Sequence, residues 1–197
     1  MAAATTLVFL LSVVTPLTQA WWIFGNKERP VQAVGAVDPD CIRHAELGSC
    51  EFYACLERRF PCGTDSYPLT HGAYYCHKFQ NYLHMFNEQG RRWVRNSRQC
   101  LTRNLRATYT LSEVTCRDIS RERFRTVSNC FVSRGFCSIM WNNKEALLKV
   151  FEAEDLVDRQ VAIRVWREIF DIARGCAGRN IERFIEWALD TQLPLHG

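Results

Sequence analysis

The chain of 197 residues contains no C-x-x-C pair, although it contains ten cysteines. Structural zinc sites usually bring their thiolates in such close pairs, so the spacing argues against a metal cluster. G-x-S-x-G, H-E-x-x-H and P-loop sequences are also missing. Their absence leaves out the serine-hydrolase elbow, the zinc-protease helix and the phosphate cradle in their common forms. The five histidines are scattered, and although His77 and His84 lie seven apart, on one face of a helix that runs through both, no third ligand stands near them. They read as structural or exposed. No catalytic residue, metal ligand or cofactor is expected, and the chain is not read as an enzyme.

Lys, Arg, Asp and Glu are all absent from Met1 to Ala20, which holds the apolar run Leu7 to Val14 and ends in Thr18-Gln19-Ala20. Small residues at the two positions read by signal peptidase mark residues 1–20 as a secretory leader. Trp21-Trp22-Ile23-Phe24 follows at once, so an uncleaved amphipathic anchor is the competing reading. Past the leader no run approaches the roughly 18–20 apolar residues of a membrane span, and no GPI-type tail follows Leu195. The mature protein is expected to be soluble, secreted and extracellular. Its formal net charge of +4 permits contact with acidic glycans and falls short of what a nucleic-acid binder carries.

With 47% hydrophobic residues, the chain can furnish the core of one domain. An even cysteine count in a secreted chain reads as a disulfide framework. Cys41, Cys50, Cys55, Cys62 and Cys76 crowd into one stretch, and Cys100, Cys116, Cys130, Cys137 and Cys176 follow. Counting alone allows on the order of a thousand pairings. The spacing does not choose among them.

Read in order, residues 21–40 contain Gly25, Pro30, Gly35 and Asp38-Pro39-Asp40 with no sustained period, which predicts a flexible arm. Ile42, Ala45, Leu47, Phe52, Ala54, Cys55 and Leu56 predict one or two short helices interrupted near Gly48. Pro61, Gly63 and Pro68 make a loop. Tyr74/Tyr75, Phe79, Tyr82/Leu83 and Phe86 recur at helical spacing, Asn87 to Gly90 is read as a break, and Trp93/Val94, Ser97, Cys100/Leu101 and Leu105 open the next helix. Thr110-x-x-Glu113 and Asn142-x-x-Glu145 read as helix-starting caps. Val161/Ala162, Val165/Trp166, Ile169 and Ile172/Ala173, then Ile181, Phe184/Ile185 and Ala188/Leu189, predict two closing helices. The expected fold class is all-α: a disulfide-rich single domain of six or seven helices over residues 41–190, with a tail at 191–197.

Three patches carry a family resemblance: Gly48-x-Cys50-x-Phe52-x-Ala54-Cys55-Leu56-Glu57; Phe86-x-x-Gln89-Gly90-x-x-x-Val94-x-x-Ser97-x-x-Cys100; and Cys130-x6-Cys137-Ser138-Ile139 followed by Glu145-Ala146. In this order, inside a ladder of ten cysteines, they resemble the stanniocalcins, a family of secreted hormones. The resemblance implies the pairs Cys41 with Cys55, Cys50 with Cys76, Cys62 with Cys116, Cys100 with Cys130, and Cys137 with Cys176. It also implies a non-enzymatic regulator of calcium and phosphate balance that binds an extracellular receptor or restrains a pappalysin-type metalloprotease. The sequence departs from the family pattern in three ways. No eleventh cysteine follows Cys176, no long hydrophilic tail is present, and no N-x-[ST] sequon occurs. No disulfide-linked homodimer is therefore expected, while a non-covalent one through Ile181, Phe184, Ile185 and Ala188 stays open.

Two surface features invite binding. Arg91, Arg92, Arg95 and Arg98, with Arg103 and Arg106 beyond, fall on the outer arc of one predicted helix, a face suited to sulfated glycans or an acidic receptor. The acidic run Glu152 to Asp158 lacks the alternating ligands and central glycine of an EF-hand, and reads as a solvated helix end. A disulfide-laced helical domain enclosing a lipid is the remaining alternative.

Overall fold

Trp93, Val94, Ser97 and Leu105 share one side of a 3.6-residue turn, so burying them requires a helix across this segment. In the structure, a computed structural model describing residues 28–151 except 65 and 67, together with 172, 173, 175, 176, 182, 183 and 186, that helix is α4 (Glu88–Tyr109). Around it lie β1 (Val31–Gln32), α1 (Pro39–Leu47), α2 (Glu51–Arg59) and α3 (Tyr74–Asn81) before it in the chain. After it come β2 (Glu113–Val114), α5 (Cys116–Ser133), α6 (Phe136–Ile139) and α7 (Lys144–Val150). A π-helical turn, Pro68–Ala73, leads into α3, and single 3-10 turns at Leu83–Met85 and Trp141–Asn143 precede α4 and α7. The fold is all-α and disulfide-rich.

The two halves of α4 serve different cores. Trp93 and Val94 join Phe79, Phe86, Phe131 and Phe136 in one buried cluster. Leu105 and Tyr109 join Phe52, Leu56 and Phe60 in the other. The first cluster is held by edge-on aromatic contacts, with the Trp93 and Phe131 ring centroids 5.0 Å apart and those of Phe79 and Trp93 5.6 Å apart. Trp93 Nε1–H donates to the Phe131 carbonyl at 3.2 Å, so the indole is buried without a stranded donor. Phe52, Phe60, Phe86 and Phe136 are each no more than 1% exposed; truncating any one to Ala costs about 3–5 kcal/mol.

Local chemistry sets the helix ends. Asp38 accepts a hydrogen bond from the Asp40 N–H at 2.8 Å and Pro39 occupies the first turn, which starts α1. Gly48 ends it at φ 71°. A Cβ there would also lie 2.8 Å from the backbone N of Gln99, so glycine serves both the left-handed turn and the close approach of α1 to α4. The segment between Cys41 and Arg59 accordingly forms two short helices.

Four expectations need correction. Residues 28–40 are not a free arm: β1 pairs antiparallel with β2, Val31 opposite Val114 and Gln32 opposite Glu113. The Ala33 N–H continues the pairing to the Ser112 carbonyl at 2.8 Å. Asn87 to Gly90 does not break the helical pattern but begins α4, because Asn87 Oδ1 accepts from the Gly90 N–H at 2.8 Å as an N-cap. Thr110 closes α4 and Glu113 lies in β2. The cap of α5 is Thr115, whose hydroxyl accepts from the Asp118 N–H at 3.0 Å. Asn142 lies inside a 3-10 turn, and the buried residue at the start of α7 is Asn143, which bonds outside its own helix. The leader at 1–20, the start of the first expected closing helix at Val161 to Ile169, the apolar residues Ile181, Phe184, Ile185 and Ala188 of the second, and the tail lie outside the described residues.

Candidate functional site

Five disulfides organise the surface. Cys41–Cys55 joins α1 to α2 across 14 residues, and Cys50–Cys76 joins the cap of α2 to α3 across 26. Cys62–Cys116 ties the proline loop to the first residue of α5 across 54 residues, Cys100–Cys130 joins α4 to α5 across 30, and Cys137–Cys176 joins α6 to the C-terminal segment across 39. No described cysteine is free. On the chain-entropy account, closing the shortest loop contributes about 3 kcal/mol and the longest about 4.

The proline loop is held independently of its disulfide. Glu57 in α2 accepts from the Gly63 N–H at 2.7 Å and from the Ser66 hydroxyl at 2.8 Å, folding the loop back on its own helix. Arg59, seven residues on from Phe52 and three on from Leu56 along the same face, is only 6% exposed. Its Nε donates to the Tyr109 carbonyl at 2.7 Å, Nη1 to Gly35 at 2.7 Å and Nη2 to Leu111 at 3.0 Å. One guanidinium thereby closes the end of α4, the segment after β1 and the approach to β2. The position of Arg59 on the apolar face of α2 was visible in its spacing, but an arginine is ordinarily assigned to solvent.

The arginines of α4 do not act as one face. Arg91 donates to the Phe86 carbonyl at 2.6 Å, reinforcing the start of the helix. Arg92 pairs with Glu88 one turn earlier. Arg103 and Arg106 both reach Glu46 of α1, at 2.9 and 3.2 Å. Arg95 is exposed and has no partner among the described residues. Arg98, expected to point outward, turns instead toward the knot, with Nη2 3.5 Å from Cys50 Sγ. It is half-buried, and desolvation by burial holds its guanidinium below the ordinary arginine value, a nearby Tyr53 partly opposing the shift. The reason for its turn is α1: Thr102 donates to the Ala45 carbonyl at 2.6 Å and Gln99 to the Glu46 carbonyl at 2.8 Å, so the second half of α4 is covered on the side its first half leaves open.

The beginning of α4 is fixed from the far side of the domain. Asn143 Oδ1 accepts from the Asn87 N–H at 2.9 Å while its Nδ2 donates to the Ile139 carbonyl at 2.8 Å. A Cβ on Gly90 would come within 2.5 Å of that same Oδ1. Two glycines of the family-like patches, Gly48 and Gly90, thus mark the two places where another element meets the backbone or cap of α4.

Among the described residues no three His, Cys, Asp or Glu side chains gather where they could hold a metal ion. The acidic run Glu152 to Asp158 lies outside those residues. His77 sits in α3, whereas His84 belongs to the following 3-10 turn and pairs its Nδ1 with the Asn81 carbonyl at 3.0 Å, so the two do not share a helix. No described helix is long and apolar enough to cross a membrane.

Comparison with known proteins adds one positive finding. No solved structure gives a significant match. The sequence profile of the stanniocalcin family matches residues 27–184, which is well over half of the chain and spans every cysteine. The helices α1 to α7 among the described residues, the five disulfides and this match lead to one conclusion: the chain belongs to the stanniocalcin family.

Proposed function

We propose that the protein is a secreted, hormone-like regulator of calcium and phosphate balance that acts by binding an extracellular protein. The observation that carries this reading is the family match across residues 27–184, since stanniocalcins are secreted hormone-like proteins. Five disulfides support an oxidising compartment. The described surface offers a rigid, cross-linked scaffold for recognition. On it, the exposed Arg92 and Arg95 of α4 are the arginines we assign to contact with an acidic receptor surface or a sulfated glycan.

The test is to add the purified protein to a responsive epithelial layer and follow calcium and phosphate flux, with reduced and alkylated protein as the control. A dose-dependent change that the control lacks supports the reading. No change in flux, or turnover of a small substrate by the pure protein, overturns it. Restraint of a pappalysin-type metalloprotease without any effect on flux would replace hormone action by protease inhibition.

A further inference from the structure

Once Arg91 and Arg98 have turned to other partners, four arginines of α4 remain exposed: Arg92, Arg95, Arg103 and Arg106. At 3.6 residues per turn their spacing places all four within an arc of about 80°, on the side of the helix opposite the buried Trp93, Val94, Ser97 and Leu105. With a rise of 1.5 Å per residue they form a ridge about 21 Å long. Neighbouring helices flank this ridge without covering it. On one side Thr102 is buried where it donates to the Ala45 carbonyl of α1, and on the other Cys100 is bonded to Cys130 of α5.

Each end of the ridge carries one carboxylate. Glu88 pairs with Arg92, and Glu46 of α1 is shared, its Oε2 2.9 Å from Arg103 Nε and its Oε1 3.2 Å from Arg106 Nη1. Four guanidiniums against two carboxylates leave a net charge of +2. A guanidinium has five N–H donors, so these pairs leave most of them outward, and solvent-exposed pairs hold only weakly. The residues between the two ends on this side are Asn96 and Gln99, and neither is the aromatic or large apolar anchor that a protein interface needs at its centre. We propose that the ridge binds a linear sulfated glycan laid along α4, with Arg92 and Arg95 holding one end and Arg103 and Arg106 the other. Glu46 limits the strength of binding by competing for the second pair. This narrows the assignment of Arg92 and Arg95 made above and rests on it. Sulfates recur along an extended glycan chain, so successive anionic groups meet successive arginines through charge-assisted, forked hydrogen bonds.

Calorimetry of the full chain with size-fractionated heparin oligosaccharides tests this. Affinity should rise with oligosaccharide length until the fragment spans about 21 Å, and then level off. Arg92→Gln with Arg95→Gln, and separately Arg103→Gln with Arg106→Gln, should each weaken binding about tenfold. Arg121→Gln with Arg134→Gln lowers the net charge equally from exposed positions in and just after α5, and should leave affinity nearly unchanged. Glu46→Gln should bind more tightly than the parent, a gain that the loss of a purely structural ion pair does not produce. An equal loss in the α5 double variant, no gain in Glu46→Gln, or undiminished affinity for desulfated heparin would each overturn the ridge. Equal affinity for polyglutamate of matched length would give it to an acidic protein instead. If only the Arg92 and Arg95 variant weakens binding, the two-ended ridge fails and the earlier assignment of those two residues stands. Flux across the epithelial layer tests hormone action separately, so failure of the ridge is distinguishable from failure of that reading.

Discussion

Arg59 ties distant backbone together, because its three nitrogens donate to the carbonyls of Gly35, Tyr109 and Leu111. It also lies 5.6 Å from the Phe60 ring centroid and 5.5 Å from that of Tyr109, so the planar fork is held by cation–π contact as well. Arg59→Lys keeps the charge but cannot reach three carbonyls at once. The expected loss is about 2–4 kcal/mol, read as a lower urea midpoint with an unchanged slope. Gly90 gives a second expectation with an unusual sign. Gly→Ala inside a helix normally stabilises by about 1 kcal/mol, but here the added methyl meets Asn143 Oδ1 at 2.5 Å. Gly90→Ala should therefore destabilise, and a melting temperature at or above that of the parent would refute the contact.

For the elements, the decisive relations are caps made across the fold. Asn143 at the entry of α7 completes the hydrogen bonding of Asn87, the cap of α4. Asn143→Ala strands the Asn87 N–H and the Ile139 carbonyl together, at an expected cost of about 2 kcal/mol, with hydrogen exchange accelerating in the first turn of α4 as the specific sign. Thr115→Ala removes the cap of α5 and should cost about 1 kcal/mol, whereas Thr110→Ala, at the place where the sequence pattern suggested a cap, should leave the start of α5 unchanged. The arginines of α4 divide in the same way. Replacing Arg92 and Arg95 with Gln should lower retention on heparin without altering the melting temperature, while Arg98→Gln should lower stability. Equal retention by parent and double variant would remove Arg92 and Arg95 from the binding surface.

Across the whole molecule, the disulfides reach each of the helices α1 to α6, and all ten cysteines are engaged within one chain. Non-reducing electrophoresis of secreted protein, with thiols blocked at harvest, should show a monomer; a dominant dimer band that collapses on reduction would require one of the five bonds to be surrendered. Replacing Cys137 and Cys176 together by Ser should free the C-terminal segment, where Ile172 and Ala173 are buried against the aromatic cluster. The knot formed by Cys41, Cys50, Cys55 and Cys76 belongs to the other cluster, so its hydrogen-exchange protection should persist in that variant.

What the sequence determined was the class and the inward faces. A 3.6-residue period states which residues of a helix are buried, and Trp93, Val94, Ser97 and Leu105 are buried as that period requires. Cysteine number and the absence of C-x-x-C pointed to a disulfide framework for the same local reason. A period does not state what covers each face. The inward turn of Arg98, the sharing of Glu46 by Arg103 and Arg106, and the burial of Arg59 all depend on which neighbour arrives from a distant part of the chain. The caps were misplaced for a related reason. Thr110 and Thr115 both precede an acidic residue by three positions, but Thr110 closes α4 and Glu113 is drawn into β2 by its pairing with β1, so only Thr115 starts a helix. Those choices belong to tertiary structure, because hydrogen bonds and buried charges are satisfied by partners in space rather than by neighbours in sequence.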